Sequence, residues 1–277
     1  MSTQDLPLPL NHKDILDRFV AACQMDPRIV AAFLGGSYAQ DKADTYSDLD
    51  LYLIVTDEAY EDFLSEKGDF VHLLGEPLFL EDFGLSHGYL FILANGTEGE
   101  FWIGRVSRFK HIHAGSYKVL LDKKSILKNA VFPRHEADPA GQLETLKKQI
   151  DWFWHELAHF IKAMARGQLW FAYGQLEEMR KICVNLARLK YDYSDARVGE
   201  EPYFKIEQAL PIGQLSPLQT TYCPPEYGTM LPAAHVIFRF YQDIAPTLAK
   251  AHDIVYQGRL ERMMMIQMEE LGEIRSS

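Results

Sequence analysis

"FLGGSYAQDKADTYSDLDLYLIV", Phe33 to Val55, decides how this chain is read. An apolar run ends in Gly35-Gly36-Ser37, a polar loop follows, and Asp48 and Asp50 stand at the mouth of a second apolar run, Leu49 to Val55. In an extended strand, side chains two apart share a face, so Asp48, Asp50, Tyr52 and Ile54 point one way and Leu49, Leu51, Leu53 and Val55 the other. Two like charges this close are unfavourable unless a cation lies between them, and a hard, oxygen-binding ion such as Mg²⁺ is the common answer. Substrate phosphates usually complete such an ion. The glycines let backbone amides approach a phosphate, and Ser37 adds a hydroxyl donor. An isolated Asp-x-Asp reads as turn chemistry. Gly36-Ser37 followed ten residues on by Ser47-Asp48-x-Asp50, with an apolar strand on either side, reads as a phosphate and metal site.

Working outward, Ile29 to Leu34 reads as a buried strand before the glycines and Leu49 to Val55 as a second after the loop. His12 to Gln24 and Glu58 to Glu66 read as helices. Phe70 to Leu74, Tyr89 to Ala94, Glu98 to Val106 and Tyr117 to Leu121 read as extended, and Asn95-Gly96 between two of them is a hairpin signal. A Pro-containing polar segment, Asn129 to Gln142, then changes the character of the chain. Beyond it Leu143, Leu146, Ile150, Phe153, Leu157, Ile161 and Met164 recur at helical spacing, and Leu169 to Leu189 continues the pattern. A long Pro-rich connection, Tyr191 to Pro232, precedes a last helical pair, Ala233 to Leu248 and Leu260 to Leu271. The expected fold class is α+β: a mixed sheet flanked by helices over residues 1–130, then a helical bundle over 143–277.

Composition bounds the function. With 277 residues, 47% of them apolar or aromatic, the chain can bury substantial cores. A formal net charge of −11 repels polyanions and argues against nucleic acid as a main partner. Cys23, Cys183 and Cys223 lie far apart without paired spacing and read as reduced thiols. Neither a secretory leader nor a membrane-spanning run is evident, so the expectation is a cytoplasmic protein without membrane association. Composition leaves a homodimer open.

The opening stretch resembles the motif of the DNA-polymerase-β-like nucleotidyltransferase superfamily, and more closely that of bacterial enzymes that adenylylate lincosamide and aminoglycoside antibiotics. The resemblance implies a catalytic nucleotidyltransferase domain followed by a helical acceptor-binding domain, with the active site in the cleft between them. By position, Gly36 and Ser37 would hold the triphosphate of ATP or another NTP, with Ser47 in the same motif, and Asp48 and Asp50 would bind the catalytic Mg²⁺. The family needs a third carboxylate on a neighbouring strand, as metal ligand or base, and "NGTEGEFWI" offers Glu98 and Glu100 on one face. Where members often carry a basic residue and Gly after the turn, this chain has Gln40-Asp41, with Lys42 next. Kanamycin-type members place a Glu four residues before a Lys on the first helix of the second domain; here Ala158 precedes Lys162 at that distance, and Glu156 is the nearest carboxylate. The implied reaction moves a nucleoside monophosphate to a hydroxyl of a small molecule.

Two other readings compete. "HELAH", His155 to His159, matches His-Glu-x-x-His, in which two histidines one helical turn apart bind Zn²⁺ and the Glu activates water in a metallopeptidase, with Glu178 as a third ligand. The same helix also has a bland account, since its apolar stripe leaves both histidines on a flank. The other is a nucleotidyltransferase fold that binds nucleotide without turnover. Trp152, Trp154, Trp170, Phe171 and Tyr173 read as core or as the floor of a pocket, and His111-x-His113 reads as ordinary surface.

Overall fold

A computed structural model describes residues 10–133, 138–195, 197–211 and 213–273. The chain divides into two compact units, Met1–His135 and Glu136–Ser277. In the first, helix α1 (Leu10–Met25) precedes β1 (Ile29–Leu34), the single turn α2 (Gly36–Ala39) and β2 (Leu49–Val55). Short helices α3 (Tyr60–Ser65) and α4 (Lys67–His72) lead to β3 (Pro77–Glu81), β4 (Gly88–Leu93), β5 (Glu98–Arg105) and β6 (Lys118–Asp122). The strands form one mixed six-stranded sheet in the order β3-β4-β5-β2-β1-β6. Strands β2 and β5 are parallel, in register from Leu49 opposite Gly99 to Val55 opposite Arg105. The other neighbours pair antiparallel.

The sheet buries both faces, as the period-two pattern requires. Leu49, Leu51, Leu53 and Val55 join Phe19 of α1, Phe63 and Phe70 on one side. Phe33, Tyr52 and Ile54 pack with Phe109, Leu127 and Phe132 on the other. Asn95-Gly96 forms the predicted hairpin between β4 and β5, with Gly96 at φ +83.

Two expectations are corrected. Phe70 to Leu74 is not extended: Phe70 and Val71 lie in α4, and Phe70, Val71 and Leu74 turn together onto the core, a spacing that suits a helix better than a strand. Phe70 stacks on Phe101 with ring centroids 5.2 Å apart. The outermost strand is instead β3, half-exposed and opening with Pro77, features usual at a sheet edge. In the second unit Pro232 belongs to a helix. There α5 (Pro139–Ala165) and α6 (Leu169–Tyr191) pack together, followed by the short α7 (Ile206–Ala209) and α8 (Ser216–Gln219), then α9 (Tyr227–Ala251) and α10 (Gly258–Glu273). Helix α9 runs through both Pro232 and Pro246, because Met230, Ala233, Ala234, Ile237, Phe238 and Tyr241 form a continuous buried stripe that outweighs the missing N–H groups. Asp138 caps α5 through Gly141 N–H at 3.0 Å.

At Gly99 the sheet leaves no room for a side chain. A Cβ there would lie 2.5 Å from the Phe91 ring and 2.7 Å from the Leu49 carbonyl oxygen. Gly99→Ala must therefore push β5 away from β2, and overpacking of this kind costs about 1–3 kcal/mol. Thermal unfolding of the variant should show a lowered Tm; an unchanged Tm would mean that the β2–β5 contact is looser than this geometry.

Candidate active site

The β1–β2 connection makes the site. Gly35 N–H donates to the Asp50 carbonyl at 3.0 Å, and Ala39 N–H donates to the Gly35 carbonyl at 3.0 Å, so the chain leaves β1 and winds into α2 directly over the start of β2. Gly36 adopts φ +52, a conformation that disfavours a side chain. A Cβ on Gly36 would lie 1.8 Å from Asp50 Oδ2, so the carboxylate occupies the space that any other residue would fill. Gly35 is equally constrained, since its Cβ would meet the Tyr52 ring at 2.8 Å and His113 Cε1 at 3.1 Å. Ser37 Oγ is buried and has no hydrogen-bond partner among the described residues. That orphaned hydroxyl, beside backbone brought close by glycine, fits an anionic oxygen acceptor such as a phosphate.

Asp50 sits half-buried at the head of β2, and its carboxyl is pushed up to about 6, first by burial and then by the charges of Asp48 and Glu100. Glu100 is its register partner on β5. Burial and the charges of Asp50 and Glu100 likewise drive the Tyr52 hydroxyl upward. Asp48, just before β2, is exposed. The sheet thus sets Asp50 against Gly36, within electrostatic reach of both Asp48 and Glu100. Glu98, at the start of β5, is exposed and opposite Ile92 of β4. Among the described residues, no group of three or more His, Cys, Asp or Glu side chains is disposed to hold a metal by itself. Mg²⁺ does not require one, since it characteristically binds through one or two carboxylates and keeps water and phosphate oxygens, and the all-oxygen pair Asp48 and Asp50 fits that donor set.

The other candidates fall as follows. Lys42 is exposed, and its N–H donates to the Ser37 carbonyl at 3.0 Å, closing the turn. Ser47 Oγ is engaged with Asp44, accepting from its N–H at 2.8 Å and donating to its carboxylate at 3.2 Å. Glu156 and Lys162 belong to the second unit, on α5. Glu156 is buried, which raises its carboxyl pKa; Glu178 pushes the same way and His155 and His159 oppose. Lys162 is exposed.

The zinc reading is not supported. His155 and His159 lie one turn apart with ring centroids 4.2 Å apart, and Trp152 packs on His155 at 4.7 Å, but neither Glu178 nor any other described side chain completes a metal-holding group with them. The aromatic cluster divides: Trp154 is in the core against Tyr241, at 5.0 Å, whereas Trp152, Trp170 and Phe171 are exposed. His113 is not simple surface, because its ring contacts Phe33, Tyr52 and Phe132 and its Nε2 is 2.8 Å from the Ser116 carbonyl.

Four supporting residues lie outside the motifs that the sequence offered. Trp102 Nε1–H donates to Glu100 Oε2 at 2.9 Å, a contact that the period-two argument applied to Glu98 and Glu100 would have found two residues further on. Lys118 of β6 stands opposite Leu34 and reaches Asp41 at 2.7 Å, bringing a cation to the end of the α2 turn from far along the chain. His12 and Tyr38 meet beneath α2, with no signal in their spacing.

Comparison with known proteins follows the same lines. No curated protein matches in sequence. Among solved structures, an aminoglycoside 6-adenyltransferase from Bacillus subtilis is 16% identical with a TM-score of 0.39, covering 95% of this chain and 99% of that one. A nucleotidyltransferase-like protein from Exiguobacterium sibiricum is 14% identical with a TM-score of 0.34, covering 85% of this chain and 75% of that one. No helix among the described residues is long and apolar enough to cross a membrane. The model of the streptomycin adenylyltransferase family matches residues 11–270, nearly the whole chain. The chain belongs to that family and is a nucleotidyltransferase.

Proposed function

We propose that this enzyme transfers AMP from ATP to a hydroxyl of a small, cationic, polyhydroxylated acceptor of the aminoglycoside class. The observation that carries the reading is Asp50 packed against Gly36 of the Gly36-Ser37 turn, with the charges of Asp48 and Glu100 acting on it. Asp48 and Asp50 would hold Mg²⁺. When bound, that ion supplies charge neutralisation for the triphosphate and polarisation of the α-phosphorus. The turn offers the Ser37 hydroxyl and the backbone at Gly36 to the phosphates, and Lys42 and Lys118 bring positive charge. The acceptor oxygen bonds to the α-phosphorus, the bond to the bridging β-phosphate oxygen breaks, and pyrophosphate leaves. Glu100 takes the acceptor's proton, with Trp102 fixing its orientation.

Support for the acceptor class comes from the second unit. A cavity of about 540 Å³ there has Trp152 and Phe204 among its walls, with Asn185, Glu178, Glu200 and Glu201. Lys148 and Lys181 also line it, Lys181 paired with Glu178 at 2.8 Å. Aromatic faces with amides and carboxylates suit a hydroxyl- and amine-bearing ring system. Streptomycin, named in the family's description, is of this kind.

Asp48→Asn and Asp50→Asn should each abolish Mg²⁺-dependent pyrophosphate release while leaving the circular dichroism spectrum unchanged; activity at the parental level would refute the mechanism. Between the two glutamates, Glu100→Gln should lower kcat by about 100-fold or more, the usual worth of a positioned base. Glu98→Gln should leave kcat and KM near parental values, and the reverse pattern would reassign the base.

In the metal-free protein, Asp50 also sets a pH dependence of stability. Its folded pKa of about 6 lies above the ordinary 3.8, so the stabilisation linked to its proton is fully present below about pH 4 and lost as the pH rises through 6. Asp50→Asn should therefore raise the unfolding free energy of the metal-free protein at pH 7.5 by on the order of 1 kcal/mol once solvent screening is allowed for, with a matching rise in Tm, and change both little at pH 4. Equal effects at both pH values would contradict the assignment.

A further inference from the structure

Nothing in the chemistry of the β1–β2 connection accounts for what lies beneath it. Tyr38 is the central residue of α2, immediately after Ser37, and points inward with 2% of its surface exposed. Its hydroxyl meets His12 Nδ1 of α1 at 2.5 Å, the rings tilted at 60° with centroids 5.9 Å apart. His12 is itself buried, at 6% exposure. Two polar groups taken out of water together, from elements 26 positions apart, make a contact that costs more to leave unpaired than to keep. The pair also lies within the electrostatic reach of Asp48: burial lowers the His12 pKa and Asp48 partly restores it, while burial, Asp44 and Asp48 push the Tyr38 hydroxyl up to about 12.

A four-residue turn has little rigidity of its own. Its outer side is held by backbone bonds, Gly35 N–H to Asp50 and Lys42 N–H to Ser37. Its inner side is tied to α1 through the hydroxyl of Tyr38. A shift of this tie moves Ser37, the preceding residue, and with it the orphaned hydroxyl.

We propose that His12 and Tyr38 are positioning residues: their buried hydrogen bond braces the Gly36–Ala39 turn against α1 and so presets the Ser37 hydroxyl and the adjoining backbone for the nucleotide triphosphate. The inference rests on the nucleotidyltransferase reading given above. It goes beyond that reading by assigning part of the nucleotide affinity to two residues that do not touch the nucleotide.

The test compares Tyr38→Phe, His12→Phe, their double variant and His12→Gln, with ATP binding measured by calorimetry in the presence of Mg²⁺ and with KM, kcat and Tm determined for each. Tyr38→Phe keeps the ring in the core and removes only the hydroxyl. It should weaken ATP binding and raise KM for ATP about 5- to 20-fold with kcat within about threefold, a range equal to one buried hydrogen bond. The double variant should bind ATP no more weakly than the worse single variant, because both remove one interaction. His12→Gln, whose amide can still meet the Tyr38 hydroxyl, should recover most of the affinity. A lowered Tm with parental ATP affinity in Tyr38→Phe would leave the pair merely structural and overturn the proposal. Additive losses in the double variant would overturn it as well. Absence of ATP binding by the parental protein would instead refute the nucleotidyltransferase reading itself, and this inference with it.

Discussion

The placement of Asp50 is the constraint on which the first unit depends. Its carboxylate is half out of water, faces Glu100 across the parallel β2–β5 pair, has Asp48 two residues away and touches the Cα of Gly36. Alone, that arrangement opposes folding, because burial and two like charges all favour the protonated form. The surrounding structure accommodates it by subtraction. Glycine at 35 and 36 leaves room for the carboxylate and the Tyr52 ring, and glycine at 99 lets β5 approach β2 closely enough to bring Glu100 into line. A site that is unfavourable when empty is well prepared for a cation and a polyanion arriving together, since the cation relieves the repulsion and the cation's remaining positions take phosphate oxygens.

The second unit is built on a different principle. Its core is a stack of aromatic and aliphatic side chains on α5, α6 and α9, with Phe153 and Tyr241 stacked at 3.8 Å and the Tyr241 hydroxyl donating to the Ile150 carbonyl at 2.8 Å. Buried arginines serve as struts: Arg180 bonds Thr221, and Arg188 bonds the Pro202 carbonyl and Asp195. The Arg188 bonds, which also reach the Phe204 carbonyl, fix the loop that carries Glu200, Glu201 and Phe204, so the cavity walls are set by buried polar contacts and not by the helices alone. The His-Glu-x-x-His pattern on α5 follows from helical periodicity. Phe153, Leu157 and Phe160 are committed to the core, leaving 155 and 159 on a flank.

Much of this was legible in the chain. Strand periodicity placed Asp48 and Asp50 on one face of their strand, and the same rule put Glu98 and Glu100 together on one face of theirs, because side-chain alternation is a local property of an extended backbone. Local rules failed where tertiary packing overrode propensity. The helix at Phe70 and the passage of α9 through Pro232 both reflect a buried apolar stripe that is decided by neighbours distant in sequence.

The sequence by itself determined the chemistry available: a glycine turn, two carboxylates two residues apart, a choice of third carboxylate and the family to which they belong. Only the tertiary structure decided which groups meet. The parallel register of β2 and β5 brought Glu100 into line with Asp50, sheet pairing carried Lys118 to the turn, and the packing of α1 under α2 joined His12 to Tyr38. The physical reason is that facing within one strand repeats every two residues, whereas pairing between strands and helices depends on register and packing summed over the whole core.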